Sequence, residues 1–143
     1  MKVKQLSVFL ENKSGRLAAV TRVLAARGIN IRALSIADTS DFGILRLIVN
    51  DPQSAYQALK EAGFTVTLTE VIGVEMPDRP GALSSILAHL EEAKINIEYL
   101  YAFLGKGDNG ALVIFRVEDL DKAIEVLTSK GVKILNEEKI YSL

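Results

Sequence analysis

The chain states one pattern twice. Glu11-Asn12-Lys13-Ser14-Gly15-Arg16-Leu17 is answered by Pro77-Asp78-Arg79-Pro80-Gly81-Ala82-Leu83, a shift of 66 residues from Gly15 to Gly81. Ile29-Asn30-Ile31 returns at the same shift as Ile95-Asn96-Ile97. Asp51, Ala55, Leu59 and Gly63 return as Asp119, Ala123, Leu127 and Gly131, now displaced by 68 residues, Asp51 to Asp119. The extra two residues fit one loop near Gly105 to Gly110. Such a period is longer than most solenoid repeats and allows each copy to be a small domain. A chain of 143 residues holds one average domain or two small ones. A domain of about 70 residues buries a modest fraction of its surface. The copies are therefore expected to pack on each other or on a second chain.

Within a copy, side-chain spacing gives the elements. Lys4 to Leu10 reads as a short apolar strand. Leu17, Val20, Thr21 and Leu24 recur at helical spacing, and Gly28 ends that helix as a left-handed cap would. Ile29 to Ala37 and Phe42 to Val49 read as strands on either side of a turn at Asp38 to Asp41. Asp51-Pro52 opens a second helix, with Asp as cap and Pro in the first turn, and Gly63 stops it before a strand at Thr65 to Thr69. The order β-α-β-β-α-β is that of a ferredoxin-like unit. The second copy repeats it: strands at Val71 to Glu75, Ile97 to Leu104, Ala111 to Val117 and Val132 to Leu135, and helices around Leu83 to Leu90 and Asp119 to Lys130. The expected architecture is α+β, two tandem ferredoxin-like units over residues 1–69 and 70–136, with an extra C-terminal strand over 137–143. That last strand is expected because Glu138 to Leu143 aligns with Glu70 to Glu75, like the start of a third copy. It would add to a sheet edge.

Composition narrows the function by exclusion. Lys and Arg number 17 against 18 Asp and Glu, a balance with no general pull toward nucleic acid or anionic membranes. Cysteine is absent, which removes disulfides, thiolate metal sites and cysteine nucleophiles. No apolar run approaches the ~18 residues of a membrane span, and Met1 to Leu6 lacks a signal-peptide core. A reducing cytoplasm is the expected setting. Gly105-Lys106-Gly107-Asp108-Asn109-Gly110 matches G-x-G-x-x-G, but a phosphate fingerprint needs a helix after it and Ala111 to Phe115 reads as strand. A hairpin loop is expected. His89, the single histidine, lies off the Leu83-Ile86-Leu87-Leu90 stripe and is expected at the surface. Tyr99, Tyr101 and Phe103 alternate along one strand; core packing or a subunit interface suits them better than RNA stacking, which calls for basic neighbours.

The repeated strand-loop-helix corner is where chemistry can reside. Helix-start N–H groups lack internal partners, and the helix dipole adds partial positive charge. Gly15 and Gly81 remove the side chain that would block approach, and Asn12 and Asp78 precede them with oxygens able to accept from an ammonium group. Donors on one side and an acceptor on the other suit a zwitterion, such as an α-amino acid. The same residues also make an ordinary helix-opening turn, with Asn12 or Asp78 ordering it. Asn30 and Asn96 have two readings as well: ligand contacts, or local backbone satisfaction at a strand start.

Asp78-Arg79-Pro80-Gly81-Ala82-Leu83 with Ile95-Asn96-Ile97 resembles the ACT domain, a small amino-acid-sensing regulatory unit; so do Glu11 to Leu17 with Gly28-Ile29-Asn30-Ile31. The first half is especially similar to the start of acetolactate synthase regulatory subunits. In this family ligands bind where two units meet, the corner of one facing the second strand of another. The resemblance thus implies a site from Asn12, Gly15, Arg16, Leu17, Asn30 and Ile31, and another from Asp78, Gly81, Ala82, Leu83, Asn96 and Ile97. The first copy departs from the pattern, with Ser14 for Pro80 and a neutral Asn12 for Asp78. The expectation is a non-catalytic amino-acid sensor in amino-acid metabolism, homodimeric, with a client enzyme. No metal, cofactor, nucleic acid or membrane is expected. The alternatives are a regulatory subunit of a biosynthetic enzyme such as acetolactate synthase, a small enzyme on the same scaffold, and a structural dimerisation module.

Overall fold

The computed structural model describes residues 1–38, 41–104 and 110–143. The chain divides into two compact units, Lys4–Thr69 and Glu70–Leu143, the latter joined by Met1–Val3. Those three residues, assigned by the repeat to the first copy, pack with the second. Lys2 reaches Asp121 at 2.9 Å, and this hydrogen bond, then the charge behind it, raises the lysine pKa.

In the first unit β1 (Val3–Glu11), α1 (Arg16–Ala26), β2 (Ile31–Asp38), β3 (Phe42–Val49) and α2 (Pro52–Glu61) lead into β4 (Thr65–Met76). The strand order is β2-β3-β1-β4. Alternation along the strands makes one face apolar. Leu6, Val8 and Leu10 of β1 lie beside Leu47, Leu45 and Gly43 of β3. That face packs on Val20 and Leu24 of α1 and on Ala55 and Leu59 of α2. Each fully buried Leu or Val contributes about 1.5–3 kcal/mol.

The second unit repeats the plan. From Glu70 β4 continues to Met76, followed by α3 (Ala82–Glu92), β5 (Ile97–Ala102), β6 (Ala111–Val117), α4 (Leu120–Ser129), β7 (Lys133–Leu135) and α5 (Glu137–Tyr141). β6 and β7 flank β4, and β5 pairs with β6. Ile72, Val74, Val113 and Phe115 face Ile86, Leu90, Ala123 and Leu127. The expected ferredoxin-like units are both present. Where the sequence suggests two strands on either side of Glu70, one strand runs through.

The tail differs from expectation. A strand near the C-terminus does close the sheet, at Lys133–Leu135, but the further strand expected over 137–143 is instead the helix α5. The reason is an edge already taken. β7 pairs with Gly73 to Glu75 on the side of β4 away from β6, so a further strand finds no unpaired partner there. A helix satisfies its own backbone. Asn136 caps it, its side chain accepting from the Lys139 N–H at 2.8 Å. Ile72 and Val74 face the helices α3 and α4, so Gly73 between them faces the other way. There a β-carbon on Gly73 would collide with Ile140 Cδ1. Ile140, fully buried, thus seats α5 on the sheet face that α3 and α4 leave bare.

Helix ends follow the sequence rules. Asp51 accepts from the Ser54 N–H at 3.1 Å and the Ser54 hydroxyl at 2.8 Å, and Asp119 accepts from the Lys122 N–H at 3.1 Å. Gly28 closes α1 at φ 68°. Its counterpart after α3 is Lys94, at φ 58°, a conformation that costs a non-glycine residue about 1 kcal/mol. The Lys122 ammonium donates to the Ala93 carbonyl at that helix end, 2.9 Å away.

The Asp51 cap carries a pH signature. Hydrogen bonds from the Ser54 side chain, then its backbone, hold the Asp51 pKa below the ordinary value of 3.8. A depressed pKa gives stability that is present above the unfolded value and lost as pH falls through the folded one. Asp51→Ala is expected to cost about 1 kcal/mol at neutral pH. Urea denaturation should show the gap between variant and parent closing below pH 4. A gap unchanged at pH 3 would remove the ionised cap as its cause.

Candidate ligand-binding corners

Both candidate corners are built alike. Gly15 enters α1 at φ 86° and Gly81 enters α3 at φ 88°, left-handed values that favour glycine. Among the described residues a β-carbon at either would meet nothing within 4 Å, so these residues leave the space before each helix open. Neither helix has a side-chain cap. The Arg16 and Ala82 N–H groups make only long bonds, to the Lys13 carbonyl at 3.4 Å and the Arg79 carbonyl at 3.3 Å. Among the described residues, the N–H groups of Leu17, Ala18, Leu83 and Ser84 have no acceptor. The described residues therefore leave four amides at two helix starts without a partner, with the positive end of the dipole behind them. Leu17 and Leu83, 39% and 36% exposed, set an apolar side chain beside each pair.

The loops before the glycines are held by backbone. The Asn12 N–H donates to the Asp41 carbonyl at 3.0 Å, and the Lys13 and Arg79 N–H groups donate to Glu11 and Pro77 at 2.8 and 3.0 Å. Glu11 pairs with Lys13 at 2.9 Å, a hydrogen bond and charge that lower the Glu11 pKa. Asn12 shares an open cavity of about 440 Å³ with Glu11, Lys13, Asp41 and Phe42. The Asn12 and Asp78 side chains are exposed, with no described partner. Neither is occupied in ordering its turn.

Arg16 is engaged elsewhere. Its guanidinium lies over the Phe64 ring, 4.9 Å from the centroid, and its buried Nε has no hydrogen-bond partner among the described residues. The counterpart Ala82 leaves that place empty.

The asparagine pair lies at the far end of each unit. Glu11 pairs with Phe42 at the start of β3, whereas Ile31 pairs with Val49 at its end, about 23 Å along the strand. Likewise Met76 pairs with Ala111 and Ile97 with Val117, about 20 Å apart. Within a unit, Asn30, Ile31, Asn96 and Ile97 are not brought to the corner. Asn30 and Asn96 accept through their carbonyls from the Asn50 and Glu118 N–H groups, at 3.2 and 3.0 Å. The side chain that satisfies backbone there is that of Asn50, accepting from the Asn30 N–H at 3.0 Å.

Of the G-x-G-x-x-G stretch, residues 105–109 lie outside the described residues, as do 39 and 40 of the first-copy turn. β6 follows the stretch and pairs antiparallel with β5, so no helix stands where a phosphate loop needs one. Tyr99 and Tyr101 stack, with centroids 6.5 Å apart. His89 is half-buried and lines a groove of the second unit. Among the described residues no cluster could hold a metal ion, and no helix is long and apolar enough to cross a membrane. Sequence reasoning missed Gly110. It sits at φ 153° against the Met76 carbonyl and 3.4 Å, measured from its β-carbon position, from Pro77 Cα, and so shapes the second corner from behind.

The sequence matches the ACT domain pair over residues 1–143. The chain belongs to the ACT domain pair family. It is 50% identical to a Bacteroides thetaiotaomicron protein of known structure, with a TM-score of 0.94, covering 100% of this chain and 98% of that one. The regulatory subunit of aspartate kinase from Thermus thermophilus shares the fold at 17% identity, with a TM-score of 0.63 over 88% of this chain and 90% of that one. A stretch of 49 residues is 39% identical to the acetolactate synthase small subunit of Buchnera aphidicola subsp. Baizongia pistaciae (strain Bp). It spans 34% of this chain and 31% of that relative's length. Two ACT units in one chain, each with a bare glycine corner, point to a regulatory role of the amino-acid-sensing kind.

Proposed function

We propose that this ACT pair is a non-catalytic cytoplasmic sensor whose corners bind the carboxylate of an amino acid or related metabolite. The observation that carries the reading is the pair of unpartnered N–H groups behind each open glycine, Leu17 with Ala18 and Leu83 with Ser84. They would hold the acid end, and Asn12 or Asp78 the ammonium. Asp78, being charged, makes the second corner the stronger of the two. Asn30, Ile31, Asn96 and Ile97 would complete sites from a second copy of the chain, since in their own unit they stand at the wrong end. Ligand then stabilises one assembly of copies over another, a coupling of typically about 1–3 kcal/mol, and a client enzyme in amino-acid metabolism reads it.

A thermal-shift screen of the twenty amino acids tests this directly. A ligand bound only by the native state raises Tm, by about 2.7 kcal/mol of stabilisation at a hundredfold excess over Kd. Asp78→Ala is expected to weaken the hit about tenfold, the loss of one charge-assisted contact. Unchanged affinity removes Asp78 from the site. No hit at all, with an intact dimer, leaves the structural module. The likeness to acetolactate synthase small subunits favours a second reading, that the client is such an enzyme; co-purification of a large catalytic subunit would decide it.

A further inference from the structure

The two copies differ in the trough between the first helix of each unit and the strand that closes its sheet edge. In the first unit Arg16 lies over Phe64. By the repeat, their counterparts are Ala82 and Val132. With that stack absent, the second unit keeps an open groove of about 370 Å³. Its wall carries Arg79, His89, Lys130 and Lys133. The corresponding residues of the first copy are Lys13, Val23, Ala62 and Thr65, so Lys130 and Lys133 are cations that the first copy lacks at those positions. One carboxylate enters the groove, Glu75, and Lys133 holds it at 3.5 Å. The side chains of Arg79, His89 and Lys130 have no hydrogen-bond or ion-pair partner among the described residues. Ala82 and Ser85 bring the first turn of α3 to the same wall, which adds positive potential.

Several cations converging on a groove without enough anions to match are electrostatically incomplete. An ammonium group there would be repelled, whereas a phosphate or a pair of carboxylates would make charge-assisted hydrogen bonds. We infer that the groove of the second unit binds a small doubly charged anion, a phosphate ester or a dicarboxylate, beside whatever the corners bind. The sensor then answers to two chemical classes.

The test is an NMR titration of the ¹⁵N-labelled full chain with inorganic phosphate, with succinate and with glycine. Phosphate or succinate is expected to shift the Lys130 to Lys133 amides and the His89 ring saturably at millimolar concentration. Glycine is expected to leave them in place. The tighter of the two anions identifies the class. Lys130→Gln, at an exposed position, should weaken that binding about tenfold, and Val132→Phe should block it by restoring the first copy's bulk. The Gly15, Leu17 and Ala18 amides of the first unit report a corner that shares no residue with the groove, so failure of one site is distinguishable from failure of the other. Absence of saturable shifts, or shifts equal in Lys130→Gln and the parent, would overturn the inference.

Discussion

Gly110→Ala is expected to destabilise the second unit by roughly 3 kcal/mol or more and to lower Tm on the order of 10 °C. Two causes act together. Gly110 sits at φ 153°, where an L side chain is strained, and its β-carbon would strike the Met76 carbonyl and lie 3.0 Å from the carbonyl carbon. These are backbone atoms at the end of a paired strand, so they cannot yield as a flexible side chain does. Met76 pairs with Ala111, and Pro77 leads into the corner, so the proposed ligand site should suffer with the fold. Gly43 is the control. A β-carbon there meets Ala37 and Ile36 atoms at 3.6–3.7 Å, ordinary contact distances, and the second copy carries Ala111 at that position. Gly43→Ala should change stability by less than about 0.5 kcal/mol. Urea denaturation of both variants decides the matter. A Gly110→Ala protein as stable as the parent would show that the close approach is absent in solution.

Gly73→Ala and Ile140→Val are each expected to destabilise and to compensate when combined. The added β-carbon would overlap Ile140 Cδ1, with Cγ1 3.4 Å away. Ile140 is fully buried, so its end has little room to swing. Overpacking of this kind costs about 1–3 kcal/mol. Ile140→Val deletes the offending atom and by itself costs about 0.5–1.5 kcal/mol. Together the methyl gained on the sheet replaces the methyl lost from the helix. The double variant should therefore be more stable than Gly73→Ala alone, with a coupling of at least about 1 kcal/mol. Additive losses would mean that α5 does not rest on Gly73.

Much of the fold was legible because it depends on spacing. Leu6, Val8 and Leu10 alternate, Val20 and Leu24 stand one turn apart, and Asp51 and Asp119 cap as their type dictates. The tail was illegible for the opposite reason. Lys139, Ile140 and Tyr141 repeat the pattern of a strand, but the sheet edge they would join was already filled by β7. Local pattern yields there to tertiary vacancy. The corner glycines and their free amides were readable from composition and position. The place of Asn30 and Asn96 was not, since only the return of the chain through α1 and α3 puts them at the opposite end. Nor does the sequence bring Phe64 to Arg16; the topology does.

The seating of Arg16 on Phe64 has one more consequence. With the Arg16 guanidinium held against an aromatic face, an anion at the first corner would rest mainly on amides at contact distance. The second copy offers the cations Arg79, Lys130 and Lys133 around an open trough. Dissolved ions screen charges over about 8 Å at physiological ionic strength, which weakens the long reach of lysines far more than a short N–H contact. For the binding proposed above, rising salt is expected to empty the trough before the glycine corners, which would make ionic strength a further input to such a sensor.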